Sequence, residues 1–168
     1  KAGFNPWIYD EDKWPSGAAG GRTIARDPAQ NRQKGFRLIE QRVSGTAKQE
    51  INIPDAKYVI AGRLTGEHEI KAGSLVDLSR FNIGAPGAKD AKTRQWRCPK
   101  GDWLVIGYVP ASGDGVNYLN KNTVRDFMDI THEEYARRFS DHFGTTIPGI
   151  FFDEIHTRGL PMVWVEGF

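Results

Sequence analysis

A single cysteine, Cys98, stands in the 168 residues, which excludes an intrachain disulfide framework and a multi-cysteine zinc site. Between Arg97 and Pro99 it reads as a half-buried structural thiol rather than a reactive one. Long apolar runs are missing as well. No segment approaches the roughly 18 residues that a membrane span needs, so no membrane partner is expected. Charge of one sign is nowhere concentrated: 23 basic and 21 acidic residues leave a formal +2, without the basic patch that nucleic acid attracts. The glycines lack the Gly-Lys-Ser/Thr ending and the spacing of a nucleotide cradle. The start, Lys1-Ala2-Gly3-Phe4, has neither an initiator methionine nor a signal-peptide pattern, and the chain is expected to be cut from something longer.

What the chain does contain is an apolar run that stops in acids. Gly149-Ile150-Phe151-Phe152 is followed by Asp153-Glu154 and reads as a strand buried on both faces, of the kind found in parallel sheets. Functional groups collect at the C-terminal ends of such strands, which makes Asp153 and Glu154 candidate catalytic acids. The pattern occurs twice. Asn5-Pro6-Trp7-Ile8-Tyr9 is strand-like and runs into Asp10-Glu11-Asp12. The loop after it, Trp14 to Gly21, holds Trp14, Pro15, Ser16 and three glycines, a composition suited to a backbone that closely approaches a ligand.

An α+β fold in three zones is expected. Residues 1–23 hold the first strand and the glycine-rich loop. Residues 24–112 read as mostly β, an antiparallel β-sandwich-like domain or small barrel: Phe36 to Val43, Tyr58 to Leu64 and Trp103 to Val109 are β-rich, and turn signals divide the zone into five to seven strands. Lys100-Gly101-Asp102 resembles a hairpin turn. Trp96, Trp103 and Tyr108 are read as core filling in preference to a sugar-stacking platform. Residues 113–168 open with a linker-like Ser112-Gly113-Asp114-Gly115 and then form one amphipathic helix from about Asn122 to Phe143, capped by Asn120 or Asn122. A buried strand follows it. His132 and His142 read as surface or cap residues, because no further ligand stands at metal-binding spacing.

The motifs Trp7-Ile8-Tyr9-Asp10-Glu11, Trp14-Pro15-Ser16-Gly17, Ala19-Gly20-Gly21, Val116 to Asn120, Thr131-His132-Glu133-Glu134-Tyr135 and Gly149 to Glu154 follow one another in an order that resembles the catalytic region of large bacterial glycoside hydrolases of the α-L-rhamnosidase-like kind. These are multidomain proteins with a (β/α)8 barrel and accessory β-sandwiches. Two positions depart from the pattern, Asn117 for an acid and Lys121 for a proline.

The resemblance implies partial barrel elements at both ends of the chain, flanking the inserted domain, and a secreted or periplasmic protein. It implies that Glu154 is the acid/base with Asp153 beside it, and Glu11 or Asp10 is available as the second carboxylate that glycosidic cleavage uses. An apolar floor from Phe151 and Phe152 is expected to enclose Glu154. Trp7, Tyr9, Asp10, Trp14, Ser16 and His156 are the expected carbohydrate-binding residues, with Arg158 beside them. No organic cofactor is expected; calcium on Asp10, Glu11 and Asp153 is the alternative. The partners expected are a carbohydrate substrate and either a second copy or the missing barrel segments.

Overall fold

The computed structural model describes residues 3–10, 12–79, 93–156 and 159–165. In chain order its elements begin with β1 (Ile8–Tyr9), α1 (Arg22–Arg26), α2 (Pro28–Asn31), β2 (Arg32–Ser44), β3 (Lys48–Ile51), β4 (Tyr58–Arg63) and β5 (Val76–Asp77). They continue with β6 (Arg94–Arg97), β7 (Asp102–Val116), α3 (Lys121–Ile130), α4 (His132–Phe139), β8 (Ile150–Phe151) and β9 (Met162–Val163). One antiparallel sheet has the order β5-β4-β7-β2-β9, β3 pairs antiparallel with β6, and β1 pairs parallel with β8. The fold is mixed α+β. Two compact units divide the chain, one formed by Lys1–Gly35 with Ser112–Phe168 and the other by Phe36–Ala111.

In the second unit, period-two alternation builds the core. Val59 and Ala61 of β4 and Trp103, Val105 and Val109 of β7 are buried, and β4 pairs with β7 from Tyr58↔Tyr108 to Arg63↔Trp103. Ile51 and Trp96, from the β3–β6 pair, join the same cluster with Val43, Ile53, Leu78 and Cys98. The rings of Trp96 and Trp103 meet edge to face at 5.2 Å, which places both tryptophans in the core and leaves neither free to stack on a sugar. The expected hairpin at Lys100-Gly101-Asp102 is instead a passage between sheets, since β6 pairs with β3 and β7 with β4. Arg94 is buried; its Nε donates to Leu78 O at 3.0 Å and its Nη2 to Ser79 O at 3.2 Å. The expected turn at Gly84 to Gly87 lies outside the described residues.

In the first unit, side-chain caps and buried amides fix the helices. Asp27 caps α2 by accepting from Gln30 N at 3.0 Å, with Pro28 in the first turn. Asn31, fully buried, donates to Thr23 O and to Asp126 Oδ2, both at 2.8 Å, and so ties α1 and α2 to α3. Asn120 caps α3 by accepting from Asn122 N and Thr123 N. The single helix expected to Phe143 is two helices. Thr131 lies between them with φ −114° and ψ −73°, and its hydroxyl donates back to Phe127 O at 2.7 Å, the competition with the helical ladder that bends helices at threonine. Ser112 to Gly115, expected as a linker, is the continuing strand β7.

The strand expectations at the chain's two ends are also corrected. β1 and β8 are two residues each, and Ile150 and Phe151 are 43% and 53% exposed. Burial of a parallel strand on both faces needs a layer over each face; among the described residues, β8 has one neighbouring strand, β1.

Candidate functional site

The parallel register sets Ile8 opposite Ile150 and Tyr9 opposite Phe151. It therefore brings the two acid-bearing strand ends side by side, although they are more than 140 residues apart in sequence. The Tyr9 hydroxyl donates to Asp153 Oδ2 at 2.8 Å, and its ring packs 5.4 Å from that of Phe151. Asp153 Oδ1 accepts from Glu154 N at 2.7 Å. Both oxygens of Asp153 are thus engaged in orienting the strand end.

Ser16 joins the pair. Fully buried, it donates its hydroxyl hydrogen to Asp10 Oδ1 at 2.7 Å and accepts from Asp153 N at 2.9 Å. Asp10 is buried too, and its second oxygen, Oδ2, has no hydrogen-bond partner. His132 Nε2 lies 3.9 Å from it, within ion-pair reach of a protonated imidazole and too long for a hydrogen bond.

The loop that carries Ser16 is pinned by two other hydroxyls. Thr23 Oγ1 donates to Gly17 O at 2.8 Å, and the Tyr118 hydroxyl donates to Ser16 O at 2.6 Å. Burial, followed by the charge of Asp10, pushes the Tyr118 phenol up to about 12, so it is a donor throughout the neutral range. Gly17 has φ +93°, and a Cβ there would lie 2.4 Å from Cε1 of Tyr118. The glycine expected to approach a ligand instead makes room for this ring.

Around this cluster, Tyr9 and Asp10 join Asp12, Arg22, Asp129, Glu134 and others in lining an open polar cleft of about 920 Å³. On another side, Phe127, His132, Ile150, Phe152 and Ile155 line an apolar groove of about 460 Å³. Trp14 and His156 form a separate pair, rings 5.0 Å apart and inclined at 66°. Trp7 is 61% exposed and lines a small pocket with Tyr135 and Phe139. Glu154 is exposed, and Phe151 and Phe152 are about half exposed; the enclosing apolar floor expected for Glu154 is not formed by these residues. Glu11 and Arg158 lie outside the described residues.

Of the expected site residues, Tyr9, Asp10, Ser16, Asp153 and the backbone of Glu154 converge, while Trp7, Trp14 and His156 stand outside that hydrogen-bonded cluster. Sequence reasoning missed the supporting roles of Thr23, Tyr118 and His132. His132 is only 23% exposed at its side chain, not the surface or cap residue expected. Among the described residues, no three His, Cys, Asp or Glu side chains converge on a point that would hold a metal ion. Three of the four oxygens of Asp10 and Asp153 accept protein hydrogen bonds, and Glu11, the third residue of the calcium alternative, lies outside the described residues. Comparison with protein-family models, with curated proteins and with solved structures found no match to this chain.

Proposed function

We propose that this chain is a glycoside hydrolase, or the part of one that carries catalytic carboxylates, cleaving glycosidic bonds in plant or microbial polysaccharides by general acid/base catalysis. The observation that carries this reading is the in-register parallel pairing of β1 with β8, which sets Asp10 beside Asp153 and Glu154 at adjacent strand ends next to an open polar cleft. On this reading β1 and β8 are strands of a (β/α) barrel and the Phe36–Ala111 unit is an inserted β-sandwich-like domain.

Each carboxylate then has a distinct task. Glu154, exposed and held by its backbone N–H on Asp153, is the general acid that protonates the leaving oxygen. Asp153 orients it. Asp10, buried and bound by Ser16, is a poor nucleophile and a good anchor, so Glu11 is the available second carboxylate at the β1 end. Tyr9, Trp7 and Trp14, exposed by 43%, 61% and 39%, offer ring faces to the apolar side of a sugar.

The exposure of those aromatics also favours a second reading, a carbohydrate-binding module without catalysis. A polysaccharide panel decides between them. The wild-type chain is expected to release reducing ends from at least one polysaccharide, and Glu154→Gln to abolish release while retaining affinity in pull-down on the same polymer. Binding without any release by the wild type would replace the hydrolase by the binding module; neither binding nor release would reject both.

A further inference from the structure

The buried oxygen Oδ2 of Asp10 has no hydrogen-bond partner, yet a carboxylate oxygen removed from water needs a donor. The Asp10 side chain is completely buried, and the ring nitrogen facing Oδ2 is His132 Nε2. That ring is held firmly. Its plane stands at 89° to the ring of Phe127, centroids 5.2 Å apart, and its Nδ1 is 3.2 Å from Thr131 Oγ1, at the break between α3 and α4. The one hydrogen of the Thr131 hydroxyl goes to Phe127 O, so His132 Nδ1 is the donor to Thr131 Oγ1, and a bare Nε2 would set a second acceptor against the buried Asp10 oxygen. We propose that His132 carries a hydrogen on both ring nitrogens, that its Nε2–H points at Asp10 Oδ2 across 3.9 Å as half of an imidazolium–carboxylate pair, and that this makes His132 a positioning residue for the Asp153–Glu154 strand end.

The path from imidazole to strand end is continuous. His132 Nε2 faces one oxygen of Asp10 at 3.9 Å, Ser16 fixes the other, and the same Ser16 oxygen receives the Asp153 N–H. With Oδ2 left without a donor, Asp10 gains by turning toward solvent in the neighbouring cleft, and the serine hydroxyl follows it away from Asp153. The helix break therefore has a use: Thr131 ends α3 so that the next residue, His132, is aimed at Asp10. The inference rests on the geometry of this cluster and holds whichever reaction the strand end serves.

The test is nuclear magnetic resonance on the 168-residue chain at neutral pH. In the wild type, the imidazole nitrogen spectrum is expected to show a hydrogen on both ring nitrogens of His132; a bare nitrogen overturns the proposal, and this measurement needs no variant. Two substitutions then separate hydrogen donation from packing. His132→Phe keeps a ring against Phe127 and lacks the donor, while His132→Gln keeps an N–H at the position of Nε2 and lacks the ring. Exchange of the Asp153 amide is expected to accelerate about tenfold in His132→Phe and to stay within about twofold of wild type in His132→Gln, the consequence of losing or keeping the donor that faces Asp10. Wild-type exchange in His132→Phe, or faster exchange in His132→Gln than in His132→Phe, overturns it. Loss of hydrolysis alone bears on the proposed reaction and leaves these measurements unchanged.

Discussion

Ser16 and Asp153 are 137 residues apart and joined by a hydrogen bond of 2.9 Å, backbone N–H to side-chain oxygen, while the same serine gives its hydrogen to buried Asp10 at 2.7 Å. Ser16→Ala deletes both bonds and leaves a carboxylate oxygen and an N–H without partners. The expected loss is about 2 kcal/mol of unfolding free energy, read from urea denaturation, with unchanged slope. A loss below about 0.5 kcal/mol would mean that water replaces the serine and that the two strand ends are not tied through it.

Gly17 meets two constraints, a left-handed φ of +93° and the Tyr118 ring 2.4 Å from where a Cβ would stand. Gly17→Ala is expected to lose about 1–2 kcal/mol from the backbone conformation and about as much again from the contact. In a Tyr118→Leu background the second part falls away and the first persists. Equal losses in both backgrounds would show that the ring moves aside freely.

Tyr118 itself makes a pH-dependent contribution whose sign follows from its raised value. The phenol ionises at about 12 in the folded chain, against 10 for an unperturbed tyrosine. Below pH 10 both states hold the proton and the stability is fully present; between about pH 10 and 12 the unfolded state releases it first, and the stability is lost. Tyr118→Phe should therefore unfold more easily than wild type at pH 8, by about 1 kcal/mol for the missing bond to Ser16 O. The gap should narrow as pH approaches 12. Melting curves of the two proteins collected from pH 8 to 12 provide the comparison, and parallel curves would contradict the assignment.

These contacts mark how far the sequence could be read. The acids ending two apolar runs were visible at once, since Asp10 and Asp153 each follow the last apolar residue of their run directly. Their linker, Ser16, was visible only as a loop residue, because the bonds that define it span 6 residues in one direction and 137 in the other. The period of the α3–α4 segment continues through Thr131 unbroken, so hydrophobic spacing alone does not show where a threonine hydroxyl turns back on the ladder. Trp103 was legible as core because it opens a β-rich run whose alternation points inward, whereas Trp96 lies on a strand where Arg94 and Gln95 are buried beside it and no alternation shows. The short strand β8 was misread for the opposite reason: an apolar run reports a preference for burial, and what covers it is a property of its neighbours.

Cys98 is 1% exposed in the core of the second unit, and burial, followed by the charge of Asp102, raises its thiol above its ordinary range. Thiolate is the reactive form, so both access and ionisation are suppressed. Alkylation by iodoacetamide at pH 8 is expected to be at least about a hundredfold slower in the folded chain than in urea. A rate close to that of the unfolded chain would place the thiol at the surface.

The same core gives the sharpest steric test, at Gly107 of β7. Its inward face lies against Ile53, whose Cγ2 would be 2.2 Å and Cδ1 3.1 Å from an added Cβ, and Ile53 is 1% exposed. Gly107→Ala is expected to cost about 2 kcal/mol by overpacking. Ile53→Ala alone should cost about 3 kcal/mol through the cavity it leaves. The double substitution removes the Cγ2 and Cδ1 atoms that the new methyl would strike and puts the methyl into the space they vacate. It should therefore cost at least about 1 kcal/mol less than the sum of the two, well beyond the deviation shown by independent sites. Ile53→Val keeps Cγ2, the atom of closest approach, and should give Gly107→Ala little relief. Additive losses for the alanine pair, measured by denaturation, would mean that Ile53 turns away at little cost and that Gly107 is not required by packing.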